Sequence, residues 1–482
     1  MTAAAAASER MSRVDTAWLR MDTDANLMMI VGVWLLTPRL SLTDLSERAH
    51  SGLLVYPRFR QKVVEDAIGA NWVEDTAFDI GHHVQREALR RRAGEKPLDA
   101  LKRRVAELAA TPLDPSRPRW HFLLIEDLDS QHSALVSRIH HCIGDGIALT
   151  SVILSIADGG KAPPMREHTE AHDDDAGDWL TDAVIKPFTD IAAKAIGMYG
   201  KGVGKSMELL AEPGQPLTGS LEVARVGYQI FHDVAAFALM PDDSHTRLKG
   251  HATPGKRVAW GEPLPLDEVK AVSKVLDASI NDVLLSCVAG AIGDYLRSKG
   301  DDPAGQEIRA MVPVNLRPLE EAYKLGNRFG LVPLVLPIGI ANPIERLIAV
   351  RARMAELKGS YQPLLAFGIL ALSGLMIKPV QSAITGLFAR KATAVMTNVP
   401  GPKEAIRMCG RTVKQAMFWV PQSGDIGMGV SILSYAGGVQ FGLITDAKMC
   451  PDPEAIIERF APQFDKLLWM ALMAPWPGDV GR

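Results

Sequence analysis

The chain alternates short apolar stretches, typical of β-strands, with amphipathic stretches typical of helices, and it does so on both sides of a polar break. Strand candidates lie at 121–126 and 134–139 before the break, and at 308–314 and 430–434 after it. The break itself, at 159–180, is rich in Gly, Pro and Asp, which is the composition of a linker or an exposed loop. This order of elements predicts a mixed α/β fold with one α/β unit in each half of the chain.

Changes in composition divide the 482 residues into three predicted segments. Residues 11–180 form an N-terminal domain, residues 181–245 a helical connecting segment, and residues 246–475 a C-terminal domain. Hydrophobic residues make up 47% of the chain and charged residues 23%, which is the composition of a folded protein rather than a disordered one. The formal net charge is only −3, so nucleic acid is not an expected partner.

The four cysteines are scattered and form no CxxC pair, so the sequence predicts neither a zinc knuckle nor a disulfide framework. A reduced, cytoplasmic setting fits this cysteine usage.

Two long uncharged runs bear on membrane contact. The run at 426–445 is split by an Ala-Gly-Gly turn and predicts a β-hairpin rather than a membrane span. The run at 359–377 contains a proline and three glycines, which favours a buried helix or a surface that rests on a bilayer. Lys378, Arg390 and Lys391 follow this second run and are compatible with contact to anionic lipid. We therefore expect peripheral association with a membrane or lipid droplet.

The segment 139–146 carries the pattern from which chemistry is predicted: His140-His141, followed by Asp145 between two glycines. It lies between a strand candidate and a predicted helix. Adjacent residues of a strand point to opposite faces, so only one of the two histidines can face a given cleft. An unperturbed imidazole has a pKa of about 6.5 and can accept a proton at working pH, which makes one histidine a candidate general base.

The residue pattern alone leaves three interpretations of this segment open. The functional one is an exposed imidazole acting as general base, with Asp145 turned back to orient a neighbour. The structural one is a pair of core histidines with Asp145 as a helix N-cap. A metal site with His140, His141 and Asp145 as ligands is disfavoured because consecutive strand side chains diverge.

The pattern HHxxxDG resembles the signature of the CoA-dependent acyltransferase superfamily, which includes chloramphenicol acetyltransferase and peptide-synthetase condensation domains. Further segments are similar to motifs of the bacterial wax ester synthase/diacylglycerol acyltransferase family. In chain order they are 14–19, 78–84, 112–120, 280–284, 312–317 and 397–402. Arg119 departs from this pattern, because the family usually has an apolar Leu there.

The resemblance implies a fold of two chloramphenicol-acetyltransferase-like domains that form a pseudo-dimer with a central substrate channel. It implies acyl transfer from acyl-CoA, which is a substrate, to diacylglycerol or to a long-chain fatty alcohol, yielding triacylglycerol or wax ester. No cofactor and no metal are expected. The expected location is cytoplasmic, with peripheral association to the inner face of the plasma membrane or to lipid inclusions.

The resemblance also implies roles for individual residues. His141 is expected to be the general base, with His140 and Asp145 completing the catalytic set. Asp145 is expected to orient the loop through an ion pair, with Arg317 as its partner and Arg138 as the alternative. The expected substrate-binding residues are Gly146, Asn281, Asp282, Arg317 and Asn398. For Asn281, a donor to the substrate carbonyl or oxyanion is weighed against a helix cap.

Two other functions remain open at this stage. The first is acyl transfer to a small polar alcohol or an amine. The second is a catalytically idle coat protein of lipid droplets or membranes, against which the intact HHxxxDG pattern argues.

Overall fold

The computed structural model describes residues 8–66, 69–160, 240–316, 324–358, 362–373 and 378–474. The predicted helical segment 181–245 and its boundary at 180 lie almost wholly outside the described residues, so the domain limits stay a prediction.

The strands, in chain order, are β1 (Ser8–Arg10), β2 (Met29–Thr37), β3 (Gln61–Asp66), β4 (Gly69–Glu74), β5 (Val84–Arg86), β6 (Trp120–Ile125), β7 (Ser133–His140), β8 (Lys256–Trp260), β9 (Leu264–Pro265), β10 (Ile308–Asn315), β11 (Phe329–Leu336), β12 (Ala394–Pro400), β13 (Arg407–Met408), β14 (Arg411–Trp419), β15 (Met428–Tyr435) and β16 (Gly438–Asp446).

The α-helices are α1 (Arg13–Arg20), α2 (Leu42–Arg48), α3 (Pro97–Ala109), α4 (Gly146–Ile156), α5 (Leu266–Val275), α6 (Ile280–Ser298), α7 (Pro343–Lys358), α8 (Gln362–Ser373), α9 (Lys378–Arg390) and α10 (Glu454–Met473).

Two mixed sheets organise the described residues. One has the strand order β13-β14-β2-β7-β6-β5, and the other runs β11-β10-β12-β15-β16-β8 with β9 also paired to β16. A small third sheet, β1-β4-β3, flanks the first. The predicted mixed α/β fold is thereby confirmed, although the first sheet also takes β13 and β14 from the C-terminal half.

Strand β14 belongs to the C-terminal part of the sequence but lies in the sheet of the N-terminal half. It pairs antiparallel with β2, from Thr412 opposite Thr37 to Trp419 opposite Val31, with an irregularity between Val413 and Gln415. The pattern of apolar residues did not predict this strand. This pairing of β14 with β2 joins the two halves through backbone hydrogen bonds as well as through side-chain packing.

The cores follow the sheets. The largest cluster packs α5, α6, α7 and α10 against the C-terminal sheet. The N-terminal sheet buries apolar side chains on both faces, one towards α2 and α4 and the other towards α3. This second face also contains Val258, Trp260 and Ile444 of the C-terminal sheet, so part of the N-terminal core lies between the halves.

The predicted hairpin at 426–445 is confirmed as β15 and β16, joined through Ala436 and Gly437, which both have positive φ. Among the described helices, none is by itself both long and apolar enough to cross a membrane. Helices α5 and α6 pass that test of length and composition only as a pair, with a bend of 100° between them.

Helix α8, which covers the middle of the second uncharged run, packs against β11 and α1. Its Phe367 is buried in a small cluster with Trp18 and Phe329. Lys391 was expected near lipid, but its side chain is buried and its ammonium donates a hydrogen bond to the carbonyl of Met240. That part of the lipid-contact prediction is wrong, because the ammonium is directed into the protein.

Candidate active site

The HHxxxDG segment occupies the junction between β7 and α4, as the sequence predicts. His140 is the last residue of β7, and Asp145 is the N-cap of α4. His140, His141 and Asp145 are all buried, with exposures of 1%, 3% and 4%. The two imidazoles have different partners, which agrees with the expected divergence of adjacent side chains.

The ring of His140 is fixed by hydrogen bonds at both nitrogens. Its Nδ1 accepts from the backbone N–H of Cys142 at 3.1 Å, so Nε2 carries the hydrogen that bonds Asp22 Oδ2 at 3.0 Å. Asp22 also accepts from the N–H of Met28 at 2.5 Å and lies 3.9 Å from Arg119. Burial raises the pKa of Asp22, but the hydrogen bonds from His140 and from the Met28 N–H, together with the nearby Arg119 charge, hold the pKa below its usual value. The His140 ring is therefore held at both nitrogens, next to the candidate base His141.

The ring of His141 lies among residues from both halves of the chain. Its Nδ1 is 2.7 Å from Asn327 Oδ1, and the Asn327 amide nitrogen donates to Asp15 Oδ1 and to the His141 carbonyl, each at 2.7 Å. One face of the imidazole stacks on Trp18, with ring centroids 4.1 Å apart and planes 13° apart. Phe329 approaches to 5.5 Å between centroids. With Nδ1 engaged, Nε2 is the nitrogen available to accept a proton.

Burial lowers the pKa of His141 to about 4, although the nearby Asp145 charge and the Asn327 hydrogen bond raise it. The imidazole is therefore neutral at neutral pH, which is the state that a general base requires. Stacking on the Trp18 indole replaces water over one face of the ring and adds to this desolvation.

Asp145 ties the start of α4 to a segment that precedes β11. Its Oδ1 accepts from the N–H of Ala148 at 2.9 Å, and its Oδ2 accepts from the N–H of Arg328 at 3.0 Å. Alongside, the Gly326 N–H donates to the Ile143 carbonyl, and the Asp145 N–H donates to the Gly326 carbonyl. The Asp145 carboxylate therefore does both things that the sequence left open. It caps the start of α4, and it orients the neighbouring segment through the Arg328 N–H.

The predicted ion-pair partner of Asp145, Arg317, lies outside the described residues. The alternative partner is excluded, because the guanidinium of Arg138 instead donates to the carbonyls of Leu108 and Thr111. These carbonyls belong to the end of α3 and the turn that follows it.

The two predicted binding asparagines are brought together by the fold. Asn398, in β12, donates from Nδ2 to Asn281 Oδ1 at 2.6 Å, and Asn281 is solvent exposed. The alternative role of Asn281 as a helix cap is wrong, because Ser279 is the N-cap of α6. Among the residues that the structure describes, no hydrogen bond or ion pair joins this asparagine pair to the His141 network.

Asp282 forms a reciprocal capping box with Ser279. Its Oδ2 accepts from the Ser279 N–H at 2.8 Å, and its own N–H donates to the Ser279 hydroxyl at 3.1 Å. This placement explains the residue type by helix capping, and the predicted role in substrate binding remains a prediction. Gly146 begins α4 beside open space, since a Cβ there would meet no heavy atom within 4 Å.

Cys142 follows the base in sequence but has the properties of a core residue. Its side chain is fully buried, and burial raises the pKa of its thiol well above the usual range. Over the described ranges, no group of three or more His, Cys, Asp or Glu side chains is arranged to hold a metal ion.

Four residues of the site had no role assigned from the sequence: Asp15, Trp18, Asp22 and Asn327. Asp15 and Trp18 lie in the motif at 14–19, so a signal for them was present. Asn327 follows a glycine immediately before β11, which is a turn signal without any indication of its partner. Its 186-residue separation from His141 explains why local patterning could not find it.

Solved structures with similar folds show which fold this is. A wax ester synthase/diacylglycerol acyltransferase from Marinobacter aquaeolei VT8 matches with a TM-score of 0.65 and 18% identity, covering 96% of this chain and 99% of that one. The first condensation domain of the CDA synthetase matches with a TM-score of 0.57 and 14% identity, covering 97% of each chain. The fold is thus the one shared by HHxxxDG acyltransferases and condensation domains, which confirms the predicted fold class.

Sequence comparison gives the family within this class. The model of the wax ester synthase/diacylglycerol acyltransferase catalytic domain matches residues 11–284, and that of the WS/DGAT C-terminal domain matches residues 325–468. The chain therefore belongs to the wax ester synthase/diacylglycerol acyltransferase family. The predicted enzyme class, an acyl-CoA-dependent O-acyltransferase that forms triacylglycerol or wax ester, is confirmed by this membership.

Curated relatives agree with this assignment. A probable diacylglycerol O-acyltransferase of Mycobacterium tuberculosis is 29% identical over 385 residues, covering 79% of this chain and 77% of the relative. A putative diacylglycerol O-acyltransferase of the same species is 26% identical over 450 residues, covering 90% and 89%.

Proposed function

We propose that the protein transfers the acyl group of a long-chain acyl-CoA directly to the hydroxyl of diacylglycerol or of a long-chain fatty alcohol, with His141 as general base. The observation that carries this proposal is the buried His141 imidazole, whose Nδ1 is held by Asn327 and whose pKa is lowered to about 4. A neutral imidazole with one committed nitrogen is a base that acts through the other.

The reaction is a single displacement at the thioester. Nε2 of His141 takes the proton of the acceptor hydroxyl as its oxygen bonds to the thioester carbonyl carbon. A tetrahedral oxyanion forms, the carbon–sulfur bond breaks, and the proton passes from the imidazolium to the CoA thiolate. The products are an ester and CoA–SH. Cys142 takes no part, because its thiol is fully buried and strongly held in its protonated form.

The Asn281–Asn398 pair is the proposed donor to the developing oxyanion or the substrate carbonyl. Asn398 uses its amide to hold Asn281 Oδ1, and this orients the amide nitrogen of Asn281, at an exposed helix start, for a ligand. A preorganised neutral donor of this kind stabilises charge that develops in the transition state. No bound prosthetic group is required by these steps, since acyl-CoA is consumed as a substrate.

Release of CoA thiol from palmitoyl-CoA, with and without hexadecanol or diolein, tests the proposal. Acceptor-dependent release together with triacylglycerol or wax ester in the lipid extract is the expected result. His141→Ala is the matched control for release of CoA thiol that does not depend on the proposed base. Release of CoA thiol only with a small polar alcohol or amine would favour transfer to such acceptors instead of to lipids. No release with any acceptor would favour a catalytically idle coat protein.

We also propose that the protein contacts a membrane or droplet surface through the end of α10. Trp469, Leu472 and Met473 occupy one face of this helix at i, i+3 and i+4, and they are 66%, 54% and 84% exposed. Trp and large apolar side chains at a helix end are suited to the boundary between headgroups and acyl chains. The proposed acceptor, diacylglycerol or a long-chain alcohol, is itself dissolved in membranes and droplets. This supports a lipid surface as the partner of α10.

Binding to phosphatidylglycerol vesicles tests this surface. The triple variant Trp469→Ser, Leu472→Ser, Met473→Ser is expected to bind at least about 10-fold more weakly, since each lost apolar insertion contributes about 1.5–3 kcal/mol at full burial. Ile348→Ser is the matched control, because Ile348 is also exposed, at 61%, but lies on α7. Unchanged binding by the triple variant would exclude α10 as the contact.

A further inference from the structure

The carboxamide of Asn327 can be oriented in only one way by its surroundings. Its nitrogen faces Asp15 Oδ1 and the His141 carbonyl oxygen, both at 2.7 Å. A carbonyl oxygen only accepts hydrogen bonds, and Asp15 Oδ1 already accepts from the Asn327 backbone N–H at 3.1 Å. The amide oxygen must therefore be the atom that faces His141 Nδ1, at 2.7 Å. An amide oxygen is an acceptor, so Nδ1 must carry the hydrogen.

We propose that Asn327, held by Asp15, is a positioning residue that keeps His141 in the tautomer with Nδ1 protonated and Nε2 free to act as the base. This inference rests on the proposed function, because it assigns Nε2 the proton-accepting role. Asn327 does not touch the reacting atoms in this assignment. It acts through the ring of His141, much as the buried carboxylate of a catalytic triad fixes its histidine.

The arrangement makes the base depend on both halves of the chain. Asp15 lies in α1 near the N-terminus, His141 follows β7, and Asn327 lies in the segment matched by the C-terminal family domain. The backbone supports the same connection, because Gly326 exchanges hydrogen bonds with Ile143 and Asp145. Docking of the C-terminal half therefore completes the base, rather than only closing the substrate site over it.

Replacing Asn327 by Ala removes the side-chain acceptor for Nδ1–H and leaves the backbone carbonyl of His141 as the remaining acceptor. We expect kcat to fall about 10- to 100-fold, by analogy with the loss of a partner that orients a metal-binding histidine. KM for acyl-CoA is expected to change little, because Asn327 is not in contact with substrate. Asn342→Ala is the matched control. Asn342 caps the start of α7 through the Ile344 N–H, so this variant lowers stability without touching the base.

A reciprocal exchange separates a positioning role from a structural one. In Asn327→Asp alone, two carboxylates face each other, and activity is expected to fall. In the double variant Asp15→Asn, Asn327→Asp, the new amide at 15 donates to the new carboxylate at 327, so part of the activity is expected to return. The carboxylate now bonded to Nδ1–H favours the imidazolium and moves the acid limb of kcat/KM up by about 1 pH unit or more. If Asn327 contributed only to packing, the exchange would leave the acid limb of the kcat/KM profile at its original pH.

A readout independent of turnover is the tautomer itself. Nitrogen-15 spectra of the protein with labelled histidine, assigned by comparison with His141→Gln, are expected to show His141 protonated at Nδ1 in the unsubstituted protein. Asn327→Ala is expected to mix the two tautomers. An Nε2-protonated His141, or a tautomer and pH profile that the Asn327 variants leave unchanged, would overturn the inference. Failure of the proposed function alone would appear as absent acyl transfer with the Nδ1 tautomer intact.

Discussion

The two adjacent histidines differ in which ring nitrogens are hydrogen bonded, because each ring has its own partners. His140 is held between the Cys142 N–H and the Asp22 carboxylate, whereas His141 is held by the side chain of Asn327. In His140 both ring nitrogens are occupied, so no lone pair remains for proton transfer. In His141, Nδ1 is the ring nitrogen that is hydrogen bonded to a side chain among the described residues.

His141→Ala is expected to reduce acyl transfer by about 10²- to 10⁴-fold, the range that general-base catalysis contributes. The melting temperature is expected to change little relative to that of His140→Ala. His140→Ala leaves the largely buried Asp22 carboxylate without its imidazole partner, so this variant is expected to lose stability. Purified, folded His141→Ala with more than half of the original activity would contradict the assignment of the base.

The carboxylate of Asp145 uses each oxygen for a different backbone N–H. Asp145→Asn keeps one acceptor and can still cap α4, so it is expected to retain more activity than Asp145→Ala. The relevant measurements are kcat/KM and melting temperature for both variants. Complete loss in both variants with unchanged melting temperatures would instead indicate that the negative charge itself is required.

At the scale of elements, helix starts combine structural and functional residues within a few positions. The start of α6 has Ser279 and Asp282 as a capping box around the exposed Asn281. At the start of α4, a single residue combines two roles: Asp145 caps the helix and also holds the segment that carries Asn327. Neighbouring positions therefore require different tests to separate fold from function.

Ser279→Ala and Asn281→Ala form such a pair. Loss of the Ser279 cap is expected to lower the free energy of unfolding by about 1 kcal/mol, with more than half of the acyl-transfer activity retained. Asn281→Ala is expected to leave stability nearly unchanged and to reduce kcat. Thermal unfolding and steady-state kinetics on the same preparations distinguish the two. A fall in kcat for Ser279→Ala alone would shift the functional role away from Asn281.

At the scale of the whole molecule, the C-terminal part of the chain contributes both to the N-terminal sheet and to the surroundings of His141. Strand β14 extends the N-terminal sheet from the C-terminal part of the chain, and Asn327 completes the His141 site from that same part. Unfolding of either half therefore removes groups on which the other depends.

The pH dependence of stability is a property of the molecule as a whole. Burial lowers the pKa of His141 and of His121 to about 4 in the folded state, whereas both rise to about 6.5 on unfolding. Between these values the unfolded chain binds more protons, so the contribution of these two histidines to stability is fully present above pH 6.5 and is lost as the pH falls towards 4. Unfolding in urea at pH 5.5 is therefore expected to take up protons.

His121→Gln gives the matched comparison for this uptake. His121 is hydrogen bonded to Arg138 and Gln85, outside the base and its partners, so the variant is expected to take up about one proton fewer on unfolding. Proton uptake measured at constant pH makes the comparison without assuming two-state unfolding. Equal uptake by the variant and the unsubstituted protein would show that His121 does not have a lowered pKa.

Local patterning was enough to predict most of the elements that position the site. Strand β7, helix α6 and the β15–β16 hairpin follow from apolar periodicity and turn residues, which act over a few positions. Strand geometry predicted different surroundings for His140 and His141, and the two rings have different partners, although β7 ends at His140. The HHxxxDG pattern and its order among the other motifs indicated the family, which the family models confirm.

Only the tertiary structure decided which distant residues meet. It paired β14 with β2, directed Lys391 into the protein, and placed Asn327 on a histidine 186 residues away. None of these contacts leaves a periodic trace in the sequence, because each joins segments that are far apart along the chain, whereas periodicity records only neighbours within a few positions. The sequence by itself determined the HHxxxDG segment and the elements around it. Long-range packing determined which side chain holds Nδ1 of His141, because Asn327 reaches that ring from a segment 186 residues away.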